Sequence, residues 1–134
     1  MVEGIEHGPY VGKLVRVGHG GRMANPLRIT AALSKVLAAF LEDPEADRYG
    51  LDLMRASGHP SGTLYPILLR LQNAGWVEAY WEEIDPVAAG RPARRYYRLT
   101  PDGRVAAHTE IAALQAQLNR GLGAAKPATS PRTA

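Results

Sequence analysis

The chain has 134 residues, 46% hydrophobic and 22% charged, with 16 Lys+Arg against 13 Asp+Glu, a net charge of +3 and no cysteine. This length predicts one domain that can bury its own core, and the missing cysteines exclude disulfide staples, thiolate metal sites, iron–sulfur clusters and thiol nucleophiles. No run approaches the roughly 20 apolar residues that span a bilayer, and the N-terminus lacks the apolar core of a signal peptide, so the expectation is a cytoplasmic protein with no membrane partner.

Residues 1–26 carry six glycines, and only Val11 to Val17 suggests a short strand. Weak order is expected there, and Met23, just ahead of the first periodic segment, is a candidate true start. From Thr30 the pattern turns helical: Leu33, Val36, Leu37, Phe40 and Leu41 fall at i, i+3, i+4, i+7 and i+8, with Thr30 as N-cap and Pro44 beyond the end. Asp47 is the expected cap of a second, shorter helix through Leu51 and Met54 to Gly58. Ser61 is the expected cap of a third, in which Leu64, Leu68 and Leu71 recur until Asn73-Ala74-Gly75 ends it. After Gly75 the period changes from 3.6 to 2. Val77, Ala79 and Trp81 share one strand face with Glu78, Tyr80 and Glu82 on the other; Asp85 to Pro92 reads as a loop; then Arg95, Tyr97 and Leu99 alternate with Arg94, Tyr96 and Arg98. Thr100-Pro101 opens a last helix to about Asn119, striped by Ala107, Ile111, Leu114 and Leu118. A disordered tail is expected over 120–134.

The fold class is therefore mainly α with a β-hairpin wing: a winged helix-turn-helix over 27–100, then a C-terminal dimerisation helix over 101–119. In that arrangement the third helix enters the major groove of double-stranded DNA and the hairpin reaches along the backbone. At about 100° per residue the third helix turns Gly62, Thr63, Pro66, Arg70 and Asn73 away from its leucines, leaving a small, polar start suited to close approach. Pro66 is read as giving up at most an amide at the edge of the first turn. The charge total is a weaker pointer, since residues 1–26, 27–118 and 119–134 carry +1, −1 and +3. What matters is sorting: Glu42, Asp43, Glu45, Asp47 and Asp52 crowd one stretch around Arg48, while Arg91, Arg94, Arg95 and Arg98 crowd another.

The runs Tyr49-Gly50-Leu51-Asp52-Leu53, Ser61 to Leu71 ("SGTLYPILLRL"), Gly75-Trp76-Val77-Glu78, Trp81-Glu82-Glu83, Gly90-Arg91-Pro92, Arg95 to Thr100 ("RYYRLT") and Gly103 resemble, in this order, the PadR family of transcriptional regulators over about residues 29–118. The resemblance implies a homodimeric repressor that binds an inverted-repeat operator and leaves it when a small hydrophobic effector binds. By position it places Ser61, Gly62, Thr63, Tyr65, Pro66 and Arg70 on the DNA-facing helix, and Gly90, Arg91, Arg94 and Arg95 in the wing. A single helix after the wing resembles the short subfamily.

The residues themselves divide the arginines. Arg98, nearest Glu78 in an antiparallel pairing, reads as structural, and Arg91 and Arg94 read as phosphate contacts. Arg95 shares a face with Tyr97 and Leu99, which leaves its role open. Base choice falls to Thr63, Arg70 or Asn73. Tyr65 and Tyr97 are expected in the core with hydroxyls at its edge, and Trp76 and Trp81 in the core or an interface. A helix of some 19 residues, roughly 28 Å, overreaches so small a domain, so the stripe Ala107, Ile111, Leu114 and Leu118 favours pairing with a second chain. An enzyme is not expected: His7, His19, His59 and His108 lack ligand spacing, Gly18, Gly20 and Gly21 form no phosphate loop, and Glu82 and Glu83 point to opposite faces. No cofactor or metal is expected. The alternative is a winged-helix module that binds protein, for which the acidic stretch 42–52 speaks.

Overall fold

The structure, a computed structural model, describes residues 4–6, 13–16 and 27–125. Two short strands come first, β1 (Gly4–Glu6) and β2 (Lys13–Arg16). Then follow α1 (Ala31–Leu41), β3 (Arg48–Tyr49), α2 (Gly50–Ser57), α3 (Ser61–Asn73), β4 (Val77–Glu82), α4 (Pro86–Ala89), β5 (Arg95–Leu99) and α5 (Pro101–Ala125). The strands form one antiparallel sheet in the order β1-β2-β4-β5-β3.

The helix α1 starts where a side chain meets an orphan amide: the Thr30 hydroxyl accepts from the Leu33 N–H at 3.1 Å. Its stripe of Leu33, Val36, Leu37 and Phe40 is wholly buried, and each such side chain contributes roughly 1.5–3 kcal/mol through removal from water. Against it pack Leu53 of α2, Leu64, Ile67, Leu68 and Leu71 of α3, the inner face of the sheet, and Ala107 and Ile111 of α5.

The start signals of the next two helices differ from those expected. The N-cap of α2 is Tyr49, with no side-chain bond, because the chain first pairs Arg48 and Tyr49 with Tyr97 and Tyr96 of β5. Asp47 instead faces Arg98 at 4.0 Å. At α3 the cap is Pro60, which places Ser61 inside the first turn. Pro66 is thus the sixth helical residue, past the orphan amides, and the Gly62 carbonyl lacks its usual i+4 donor. Both helices end as expected at left-handed glycines, Gly58 (φ 78°) and Gly75 (φ 80°). At the second, the Trp76 and Gly75 amides cap the Leu71 and Gln72 carbonyls at 2.9 and 3.0 Å.

In the wing, Val77, Ala79 and Trp81 lie opposite Leu99, Tyr97 and Arg95, and Glu78 opposite Arg98 as expected. Val77, Ala79, Tyr97 and Leu99 join the main core. The other face is not the solvated one that alternation suggests: Tyr80, Tyr96 and Tyr49 form a second cluster, and Glu82 is buried beside it. The loop after β4 folds back onto Glu82. It is built by α4, a single turn in which the Asp85 carboxylate caps Val87 at 3.0 Å and Gly90 (φ 73°) reverses the chain.

Both ends extend the expected layout. The N-terminal segment, expected to be weakly ordered, contributes a hairpin whose second strand, within the stretch Val11 to Val17, pairs with β4: Leu14, Val15 and Arg16 oppose Glu82, Trp81 and Tyr80. Arg16 also bridges Glu78 at 3.2 Å. Pairing with a preformed strand supplies the stability that so short a hairpin lacks alone. At the other end α5 continues six residues past Asn119, to Ala125. The rest of the expected tail, and Met23, lie outside the described residues.

Candidate nucleic-acid interface

On α3 the buried residues Leu64, Ile67, Leu68, Leu71 and Gln72 fix one side of the helix against the core. Ser61, Gly62, Pro66, Arg70 and Asn73 are exposed on the other, as expected, while Thr63 is half-buried. Leu69, 55% exposed, belongs to the same outward row. It escapes a search for polar readers, yet an apolar side chain there suits contact with a thymine methyl. Tyr65 is 43% exposed rather than in the core. Its hydroxyl rests over the start of α2, where a Cβ on Gly50 would lie 2.2 Å from it.

The wing arginines separate into two kinds. Arg91 donates two bonds to the Glu82 carboxylate, at 2.7 and 2.8 Å, and the Arg94 amide donates a third at 3.1 Å. This guanidinium, first, and the Arg94 amide hold the Glu82 carboxyl below its ordinary value against the opposing effect of burial. Arg91 is therefore a strut that closes the loop onto β4, its guanidinium paired with Glu82 while its side chain stays 33% exposed. The signal that shows this is the pair Asp85-Pro86 with Gly90, a capped turn that carries Arg91 back to Glu82.

Arg94 and Arg95 are held by rings. The Arg94 guanidinium lies 5.2 Å from the Tyr49 ring, and that of Arg95 lies 5.6 Å from both Trp81 and Tyr97. Arg95 also reaches Gln72 Oε1 at 3.4 Å, which ties the wing to the end of α3. Burial pushes the Tyr97 phenol up. Between α3 and the wing, Tyr49, Trp81, Arg94 and Arg95 line a cleft of about 360 Å³ together with Tyr65, Arg91, Pro92 and Ala93.

The acidic stretch has partners within the fold. Arg48 is buried, donates to the Ala39 carbonyl, and meets Asp52 at 2.6 Å and Glu42 at 3.8 Å. Arg104 meets Glu45 at 3.4 Å. A surface reserved for a basic partner would leave these carboxylates unpaired, so the feature that speaks for a protein-binding module has a structural explanation. His59 is likewise structural, its Nε2 lying 2.8 Å from the Ala32 carbonyl. Among the described residues no group of three or more His, Cys, Asp or Glu could hold a metal ion, and no helix is long and apolar enough to cross a membrane.

Along α5 the stripe leaves the domain by degrees. Ala107 is buried, Ile111 and Leu114 are half-buried, and Leu118 and Leu122 are exposed. Its middle and α1 enclose a groove of about 780 Å³ walled by Ile29, Ala38, Ile111 and Leu114.

Three helices under a hairpin, with an exposed third helix joined by a cationic cleft to that hairpin, define a winged helix-turn-helix of the DNA-binding kind. The family model described as "Transcriptional regulator PadR-like family" matches residues 39–109. The chain belongs to this family, whose members are DNA-binding regulators of transcription rather than enzymes. Among solved structures, that of smu.1704 from Streptococcus mutans UA159 resembles it with a TM-score of 0.52 and 25% identity, over 84% of this chain and all of that one. No curated protein matches it.

Proposed function

We propose that this regulator is a cytoplasmic homodimeric repressor that binds an inverted-repeat operator, with α3 in the major groove of each half-site and the wing along the backbone. The observation that carries the reading is the exposed row on α3, with Ser61, Gly62 and Pro66 allowing close approach and Arg70 and Asn73 offering donors to base edges. Dimerisation rests on α5. At 25 residues it is about 38 Å long, and its apolar stripe of Ala107, Ile111, Leu114 and Leu118 runs on beyond the core it covers. A second copy laid against that end would also roof the groove between α1 and α5, giving a small hydrophobic effector a place between protomers.

Footprinting of the purified protein on the DNA upstream of its own gene, with sedimentation of the same sample, tests the reading. Two protected half-sites about 10 bp apart and a dimer are expected; no protection at low salt, or a monomer on an isolated site, refutes it. Replacing Arg70 with Ala should relax site preference at one base pair per half-site without altering the fold.

A further inference from the structure

We propose that α3 reads the C5-methyl group of a pyrimidine in the major groove, a thymine or a 5-methylcytosine, with Leu69 as the side chain that meets it. The inference rests on the DNA-binding reading and adds a specificity-determining residue and the base feature it recognises. Its basis is the line of α3 that lies farthest from the core. At about 100° per residue, Gly62, Pro66, Leu69 and Asn73 fall at i, i+4, i+7 and i+11, directly opposite Leu64, Leu68 and Leu71. All four are exposed, and none is charged. Thr63 and Arg70 lie to one flank of that line, Tyr65 and Gln72 to the other.

The line is built for contact with something outside the fold. Glycine and proline are the poorest helix formers, yet Gly62 and Pro66 stand one turn apart inside α3. Gly62 has no left-handed φ to satisfy, and a Cβ added to it would meet nothing within 4 Å. A glycine that the chain's own packing does not require suits a place where a ligand comes close to the backbone. Leu69, 55% exposed, follows Pro66 by three residues, so the two side chains are neighbours on the helix surface and make one apolar ridge.

The major groove offers such a ridge one apolar target. Guanine presents two acceptors there, adenine an acceptor and an amino donor, cytosine an amino donor, and thymine an acceptor beside its C5-methyl group. An isobutyl side chain set against an acceptor or an amino group strips its water and returns no hydrogen bond, whereas against the methyl group it removes apolar surface from water. Leu69 therefore selects by attraction to the methyl group and by the penalty at other bases. Because the contact is not with the pairing edge, 5-methylcytosine carries the same feature as thymine. Methylation of a cytosine at that position then raises affinity, which makes the methylation state of the site legible to this protein.

The test is binding of the full chain to a duplex from its own upstream region, read by fluorescence anisotropy at fixed salt. Each thymine of the protected half-sites is replaced in turn by deoxyuridine, which removes only the methyl group. The parent should show one position per half-site where the replacement weakens binding roughly fourfold, the worth of one buried methyl group. Leu69→Ala should bind the thymine duplex more weakly and become indifferent to uracil there, with thermal melting matched to the parent to establish that it is folded. A cytosine at that position should bind more tightly when 5-methylated, in the parent but not in Leu69→Ala. Gly62→Ala, for which the fold has room, should weaken binding to thymine and uracil duplexes alike. The methyl contact is overturned, with DNA binding intact, if the parent ignores uracil at every position or cytosine methylation at the mapped one. It is equally overturned if Leu69→Ala keeps the parent's sensitivity, or if Gly62→Ala binds as tightly as the parent. Failure of the parent to bind any duplex at low salt overturns the DNA reading and the methyl contact with it.

Discussion

Gly103 lies in the first turn of α5, where helix propensity alone favours alanine by at most about 1 kcal/mol. The structure reverses that sign. A Cβ on Gly103 would lie 1.9 Å from the Trp76 carbonyl oxygen and within 2.7 Å of two further backbone atoms of Trp76. No flexible side chain can yield, because the obstacle is main chain at the root of β4, and that carbonyl also accepts the Thr100 amide at 2.9 Å. Opening the contact from 1.9 Å to the 3.0 Å below which Cβ atoms are essentially never found moves α5 against the wing and strains two bonds of Thr100, to Gly75 O at 2.7 Å and from Gly103 N at 2.9 Å. Overpacking costs typically about 1–3 kcal/mol, and an unyielding backbone puts this site at the top of that range. After the propensity gain, a net loss of about 2 kcal/mol remains, a fall of roughly 8 °C in Tm. Urea unfolding followed through Trp76 and Trp81 at fixed protein concentration measures it. A Gly103→Ala protein as stable as the parent, or more stable, would refute the reasoning.

Gly50→Ala should behave differently, because its Cβ meets the far end of a side chain, the Tyr65 hydroxyl. The ring can swing away, so Tm should move little while DNA affinity falls several-fold; unchanged affinity would show that the Tyr65 position is irrelevant to binding. Leu118→Glu combined with Leu122→Glu should convert the dimer to monomer in sedimentation with helix content retained, and a persisting dimer would exclude the end of α5 as the contact. Stability should bend at both pH extremes. Glu82 titrates below its ordinary value when folded, so its contribution is present above the unfolded-state pKa and is lost as pH falls through the lower folded one; Glu82→Gln should flatten the acid limb. Tyr80, buried and bonded to Glu78 at 2.7 Å, is pushed up from 10.0 to about 12. Its contribution is therefore intact below pH 10 and lost as pH rises through 12, and Tyr80→Phe should flatten the alkaline limb in urea midpoints measured against pH.

Readable and hidden features differ in the range of the interactions behind them. The α1 stripe with its Thr30 cap, the glycine stops at Gly58 and Gly75, and the pairing of Glu78 with Arg98 are set within a turn or a hairpin, and periodicity reports them. The strand Arg48–Tyr49 is two residues long and exists because β5 lies alongside; no local pattern announces it. Alternation puts Tyr80 and Glu82 on the face away from the main core, and they are buried by partners from elsewhere in the chain, Tyr49 and Tyr96 about Tyr80 and Arg91 on Glu82. The pairing of Arg91 with Glu82 depends on the fold-back from Asp85 to Gly90 and has no signal in the strand alternation. Arg95, whose role the sequence leaves open, lies where two rings, Trp81 of β4 and Tyr97 of β5, and Gln72 of α3 converge from three separate elements, a juxtaposition that exists only in three dimensions.

The sheet ends in a strand of three residues on one side and of two on the other. So short a border offers a foreign chain few backbone groups to pair with, and the N-terminal hairpin covers the flank of the wing that would otherwise be the longest template for addition. Among the described residues the sheet therefore offers little for edge-to-edge pairing of two chains, which accords with the helical contact proposed for the dimer. In the dimer proposed above, partner choice then falls to the side chains of α5, which can change without disturbing the DNA-facing half.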